Sequence, residues 1–175
     1  MVGVGYGGFM SALARVSVVN WEGEVIFDAH VRPTLPVTDY RTFVSGITES
    51  DLESDDVLTL EQCQLLLEPI LHNKIIVGHG LKNDFRVIGI GIHPEWHNVR
   101  DTAKYEPFMK PDPMYPAEFL SKKLKVLAKD KLGMIIQEDD VPHCTVEDAV
   151  AAMELYKKHR SKWEKAVHWK VNRTK

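Results

Sequence analysis

The stretch Lys74-Ile75-Ile76-Val77-Gly78-His79-Gly80-Leu81-Lys82-Asn83-Asp84 contains both halves of the unit that sets the fold class. Lys74 to Gly78 is a short apolar run suited to a strand buried on both faces. His79-Gly80 ends it, and from Leu81 to Ile90 the pattern is helical. A buried strand that passes into a helix through a glycine turn belongs to an α/β domain, where ligands collect at strand ends. Asp84, in the first helical turn, is therefore a candidate metal ligand. Taken alone, its simpler role is a carboxylate placed at the positive end of a helix. His79, beside Gly80, reads more simply as a hydrogen-bonded turn residue than as a ligand.

Working outward, Leu13 to Asn20 alternates like a strand, Trp21-Glu22-Gly23 turns, and Glu24 to Val31 returns as its hairpin partner. Arg32 to Gly46, with Pro33, Pro36, Asp39 and Gly46, reads as a long ordered loop whose length suggests function. Thr59 to Leu71 is helical, with Leu60, Leu66, Leu67 and Ile70 as its apolar residues. Asn98-Val99-Arg100 is a candidate short strand. Phe119 to Leu132 reads as an amphipathic helix stopped by Gly133, and a final helix runs from Thr145 to about Lys170. A hairpin followed by alternating helices and strands implies an α/β domain, a mixed sheet with helices on its faces.

A second constellation lies at the mouth of the final helix, in Pro142-His143-Cys144-Thr145-Val146-Glu147-Asp148-Ala149. Helical spacing of Val146, Ala149, Val150, Met153 and Tyr156 puts His143 in the lead-in loop and Asp148 in the first turn, so the two side chains can converge. An imidazole beside a carboxylate suits metal-assisted hydrolysis, one group taking a proton from water and the other holding a cation. Thr145 followed three residues later by Asp148 is also a helix-capping pattern, and on this segment alone that is the simpler reading.

A length of 175 residues at 44% hydrophobic content fits one globular domain, residues 1–175. Cys63 and Cys144 are too few for a disulfide framework and lack zinc-like spacing, so a reducing compartment is the default. The remaining histidines, His30, His72, His93, His97, His159 and His168, show no such spacing either. No apolar run approaches membrane-spanning length, and the residues after Met1 do not look like a signal peptide, so the expectation is a soluble intracellular protein with no membrane partner. Gly3-Val4-Gly5-Tyr6-Gly7-Gly8 formally matches G-x-G-x-x-G, but no strand precedes it and no helix follows, so it reads as a flexible turn. The charge is uneven. Lys157 to Lys175 holds eight Lys/Arg against Glu164 alone, a local +7 within a net −3. This basic tail, with Trp163 and Trp169, could lie along a phosphate backbone or be a solvated helix end near the negative pole of the dipole.

Taken together, these segments resemble the DEDDh 3′-to-5′ exonucleases of the ribonuclease H-like fold, and within them the RNA exonuclease 4 group. The resemblance rests on Met1-Val2-Gly3-Val4-Gly5, Ala14 to Asn20, Pro36-Val37-Thr38-Asp39-Tyr40-Arg41-Thr42 with Val44-Ser45-Gly46-Ile47, Gly78 to Asp84, Arg100-Asp101-Thr102, and His143 to Met153. It implies a phosphodiesterase in which four acids hold two Mg²⁺ or Mn²⁺ ions. By position, Asp84 is the third acid, Asp148 the fourth and His143 the general base, with Leu81 and Asn83 near the 3′-terminal nucleotide. Two such cations can stabilise the attacking and leaving oxygens together. The implied partner is a single-stranded RNA 3′ end, with DNA left open, the protein monomeric, its role in ribosomal RNA processing and its place the nucleus or nucleolus.

The family's first motif, Asp-x-Glu, would end a central strand directly before the residues matching Met1-Val2-Gly3, and that strand and both acids are absent here. The expectation is a sheet lacking its first, central strand, with Met1 an internal methionine of a longer natural protein. Two function classes follow, an exoribonuclease, or a non-catalytic RNA-binding or ribosome-assembly protein.

Overall fold

The computed structural model describes residues 1–89, 94–115 and 117–173. In chain order these form β1 (Val2–Val4), β2 (Met10–Ala12), β3 (Arg15–Val19), β4 (Val25–His30), β5 (Val37–Asp39), α1 (Thr42–Ser45), α2 (Glu49–Glu53) and α3 (Leu60–Leu71). There follow β6 (Ile76–Gly78), α4 (Leu81–Ile88), β7 (Val99–Asp101), β8 (Lys110–Pro111), β9 (Phe119–Leu120), α5 (Leu124–Leu127) and α6 (Thr145–Arg173), with short 3₁₀ turns between some of them.

The hairpin forms as its alternation dictates, β3 and β4 pairing antiparallel from Arg15↔His30 to Val19↔Val25. Strands β6 and β7 pair in parallel, Ile76 opposite Val99 and Gly78 opposite Asp101. Apolar side chains on these strands pack into two clusters. Val16, Val18 and Phe27 join Leu13, Val31, Cys63, Leu67 and Ile88, and Val77 joins the cluster around Leu127, Leu155 and Trp163.

Several expectations are corrected. The glycine-rich start is not a loose turn, because Val2–Val4 is a strand between β2 and β5, with Val2 wholly buried. Its glycines are required. A Cβ on Gly3 would sit 2.5 Å from the Gly8 carbonyl, and Gly8, at φ 68°, faces Asp39 so closely that a Cβ would meet its side chain at 2.7 Å. The Arg32-to-Gly46 loop therefore contains a strand, β5, whose partner lies more than thirty residues earlier. The expected helix over Phe119–Leu132 starts only at Leu124. Phe119–Leu120 pairs instead with Lys110–Pro111, and the last turn, Ala128–Leu132, widens to π geometry before Gly133. The expected end of α4 at Ile90 lies outside the described residues, as does His93, and α6 continues to Arg173.

Among the described residues no ladder joins the β3–β4 sheet to the β6–β7 sheet. Helix α6 packs against both β3 and β6 and so holds the two halves together. Near its head, the Thr145 hydroxyl meets the Ser17 hydroxyl at 2.6 Å. Farther along, Glu164 accepts two bonds from Arg100 of β7, both at 2.7 Å, and a third from the Tyr156 hydroxyl at 2.9 Å. The Arg100 side chain is 3% exposed and that of Glu164 33%. The guanidinium holds the Glu164 carboxyl below its usual range, against the opposing effect of burial.

A carboxylate whose folded pKa is depressed adds stability above the unfolded value, about 4.3, and loses it as the pH falls through the folded one. Glu164→Gln leaves Arg100 buried beside a neutral amide. At pH 7 it is expected to cost about 2 kcal/mol, less than a fully buried pair because Glu164 meets solvent, which is a Tm lowered by roughly 4–8 °C. Thermal unfolding across pH checks this, and the gap between wild type and variant should close below about pH 4.

Candidate active site

The turn between β6 and α4 is built by glycines and by Asp101. A Cβ on Gly78 would collide with the Leu81 side chain at 2.4 Å, and Gly80 takes the left-handed conformation, φ 76°. Asp101, at the end of β7, closes the turn by accepting from the Gly80 N–H at 2.8 Å and the Ala103 N–H at 2.9 Å. Thr102 donates its hydroxyl to the Gly78 carbonyl at 3.0 Å, so His79 Nδ1, 2.9 Å away, is the donor to that hydroxyl. His79 is the hydrogen-bonded turn residue that the sequence favoured.

Asp84 stands one turn into α4. Burial pushes its carboxyl above the ordinary range; the Met1 amino group at the head of β1 opposes this, and the charge of Asp101 reinforces it. The Arg41 charge also reaches the Met1 amino group. Arg41 has a left-handed backbone, φ 51°, uncommon for a residue with a side chain. Its guanidinium bonds the Gly8 carbonyl at 2.8 Å and the Ser11 hydroxyl at 3.1 Å. The start of β1, Asp84, Asp101 and Arg41 thus form one charged neighbourhood. Leu81 packs over Gly78, and Asn83 is exposed in the same helical turn as Asp84.

The other half of the site is the head of α6. His143 is fixed through its backbone, its N–H donating to the Val44 carbonyl at 3.0 Å, while Pro142 packs against Gly46. Asp148 accepts from the Gln137 amide at 2.8 Å. Burial raises the Asp148 carboxyl, and the Gln137 bond and then the charge of His143 pull it back. His143 and Asp148 thus flank the start of α6, near enough for the charge of one to act on the other. The capping pattern is not what these side chains do, since Thr145 turns to Ser17 and Asp148 to Gln137.

No direct bond links Asp84 to Asp148. Among the described residues no three His, Cys, Asp or Glu side chains gather where one ion could touch them all. Two half-buried carboxylates held above their ordinary pKa suit membership of a cation-binding set, but they do not complete one. Sequence reasoning missed Asp101, Arg41 and Gln137 as site neighbours. Asp101 was traceable, as an acid ending a strand next to the strand that leads to Asp84; Gln137 reaches Asp148 only through the fold.

No family model matches the chain. It is 41% identical over 164 residues to RNA exonuclease 4 of Homo sapiens, covering 94% of this chain and 36% of that protein. It is 42% identical over 155 residues to RNA exonuclease 4 of Aspergillus fumigatus, covering 89% of this chain and 46% of that protein. The chain thus spans less than half the length of these relatives. Among solved structures, the Saccharomyces cerevisiae Pan2 pseudoubiquitin hydrolase–RNA exonuclease module in complex with A7 RNA superposes with a TM-score of 0.74 at 31% identity, covering 99% of this chain and 29% of that one. The Neurospora crassa Pan2 catalytic unit, with its protease and nuclease domain, gives 0.70 at 30% identity over 91% of this chain and 26% of that one. Fold and sequence together define a domain of the ribonuclease H-like fold, similar to the exonuclease domains of the Pan2 structures. Within the relatives' length, the chain is similar to one part of the RNA exonuclease 4 proteins.

Arg15 binds Asp28 in a fork, at 2.9 and 2.7 Å, and Ser17 donates to the same carboxylate at 2.8 Å. The Ser17 proton being committed, Thr145 must donate to Ser17, and this relay locates the head of α6 on β3. Ser17→Ala removes the acceptor and is expected to cost about 1 kcal/mol. Urea unfolding should show a lower midpoint with an unchanged slope.

Proposed function

We propose that this domain removes nucleotides one at a time from the 3′ end of single-stranded RNA, with Asp84 and Asp148 contributed to a divalent-cation site and His143 as the base that accepts the proton of the attacking water. The observation that carries this is the similarity of nearly the whole chain to part of RNA exonuclease 4, with His143 and Asp148 five residues apart at the head of α6. Such a base contributes about 10²- to 10⁴-fold. When bound, Mg²⁺ or Mn²⁺ would supply charge neutralisation at the phosphate. Leu81 and Asn83 are assigned to the terminal nucleotide because they share the turn with Asp84. Ribosomal RNA as substrate, the nucleolus as location and a monomeric state rest on the resemblance alone.

The second reading is an RNA-binding domain without catalysis, favoured by the lack of a three-donor cluster among the described residues. An Asp-x-Glu strand ahead of Met1 would deliver two more acids beside Asp84, because the head of β1 lies near Asp84. The test is therefore run on two proteins, this chain and one extended upstream by such a strand. Each is incubated with 5′-labelled 20-nucleotide RNA, and with DNA of the same sequence, in Mg²⁺ or Mn²⁺. Stepwise 3′ shortening of the RNA by the extended protein is expected, falling at least about 100-fold in His143→Ala and in Asp148→Asn. Undiminished activity in both variants sinks the residue roles. Binding without shortening by either protein selects the second reading.

A further inference from the structure

The second half of α6 presents a stripe of cations. At 3.6 residues per turn, Lys158, Lys162, Lys165, Trp169 and Arg173 fall within about 80° of one another, and all five are exposed. Among the described residues none of these four cations is paired with a carboxylate. The single acid of the segment, Glu164, is turned away and held by Arg100 and Tyr156. Lys131 joins the stripe, since Lys158 donates to its carbonyl. The His159 imidazole is held below its ordinary pKa first by burial and then by Lys131, Lys158 and Lys162, which places those three charges around one point. The Arg173 guanidinium lies over the Trp169 ring, 4.4 Å from its centroid.

Cations near a helix C-terminus are favoured by the dipole. That accounts for Arg173 in the last turn but not for Lys158, Lys162 and Lys165 farther back on the same face, nor for an indole left 58% exposed among them, while Lys157, Arg160 and Lys170 fall on other faces. Trp163, the other tryptophan of the segment, is instead core, stacked on Tyr105 at 3.9 Å. The stripe extends about 22 Å along the axis. It begins about 15 Å from Asp148 and on the same side of the helix, about 80° round from it.

We propose that this stripe is a holding surface for the RNA backbone, gripping phosphates several nucleotides 5′ of the end presented at the head of α6, with Trp169 offering a face for a base. Charge complementarity selects the occupant, because regularly spaced, unpaired cations with an exposed aromatic ring fit a single-stranded polyanion. The inference rests on the exonuclease reading for its polarity, and its test does not require cleavage.

The whole chain is titrated in EDTA with fluorescein-labelled single-stranded RNA of 20 and of 4 nucleotides, over about 50 to 200 mM KCl, by anisotropy. The wild type should bind the 20-mer more tightly. In K162E/K165E, checked for folding by circular dichroism, the 20-mer should bind at least about tenfold more weakly, with the salt slope reduced by about 1.4 at ~0.7 per phosphate contact. The 4-mer should change less than about twofold. W169A should weaken the 20-mer several-fold and leave the salt slope unchanged. The proposal is overturned if the 20-mer affinity and slope do not change in K162E/K165E, if both RNAs weaken equally, or if the double variant loses only binding to anionic phosphatidylserine vesicles. Failure of the exonuclease reading would look different, with length-dependent binding retained and no 3′ shortening by the upstream-extended protein.

Discussion

The bond on which most of this structure depends is the fork between Arg100 and Glu164. Two small sheets, β3–β4 and β6–β7, share no ladder among the described residues, so nothing in the backbone hydrogen-bonding holds one against the other. Helix α6 does so instead, and two polar anchors set its position. Ser17 meets Thr145 at one end, and Arg100 meets Glu164 nineteen residues on, about 28 Å along the axis. A guanidinium nearly sealed from water is costly unless it is fully bonded, and Arg100 meets that requirement through Glu164 and the His97 and Val99 carbonyls. The carboxylate of Glu164, on the helix that crosses it, supplies the two acceptors and the neutralising charge. The apolar cluster of Tyr105, Phe108, Tyr156 and Trp163 packs beside this pair and adds the stabilisation that burying the ion pair alone does not supply.

The site inherits its geometry from those anchors. Asp148 sits one turn from the Ser17 contact, so its position relative to β3 is fixed by the relay from Arg15 through Asp28. Asp84 is placed by a different device, a glycine turn pinned by Asp101. The two carboxylates thus belong to separate rigid pieces, one carried by α6 and one by the β6–β7 unit, and α6 is the element common to both. Each is held in surroundings that disfavour its charge. Neither has a local partner strong enough to reverse that, which is the electrostatic condition of a site that still has room for a cation.

What the sequence made legible follows the range of the interactions involved. Alternation from Arg15 to Val19, the apolar run at Ile76 and the long periodicity from Thr145 are local patterns, and each became the element expected. That His143 and Asp148 both lie at the start of α6 was legible for the same reason. Strand β5 could not be foreseen. Val37–Asp39 is three residues long, follows two prolines, and becomes a strand only because β1 lies beside it. Phe119 and Leu120 misled for the opposite reason, continuing a helical apolar rhythm that Leu124 begins, while their actual partner is Lys110–Pro111. Gln137 and Asp101 act through tertiary contacts, so their chemistry was visible in the sequence but their address was not.

Helix α6 carries opposite charge at its two ends, and its dipole favours both arrangements. An acid at Asp148 meets the positive pole, and Lys170 and Arg173 in the last turn meet the negative one, so these charges stabilise the helix whatever it binds. Dipole stabilisation depends on distance from the helix end and hardly at all on azimuth. It is indifferent to the spread of Lys157, Arg160 and Lys170 around the barrel, whereas Lys158, Lys162, Lys165 and Arg173 line one side from which Glu164 is about 100° away. The ion pair that fastens α6 to β7 thus takes up the one acid of this half of the helix on a face turned away from the stripe, so joining the two sheets leaves that outer surface cationic.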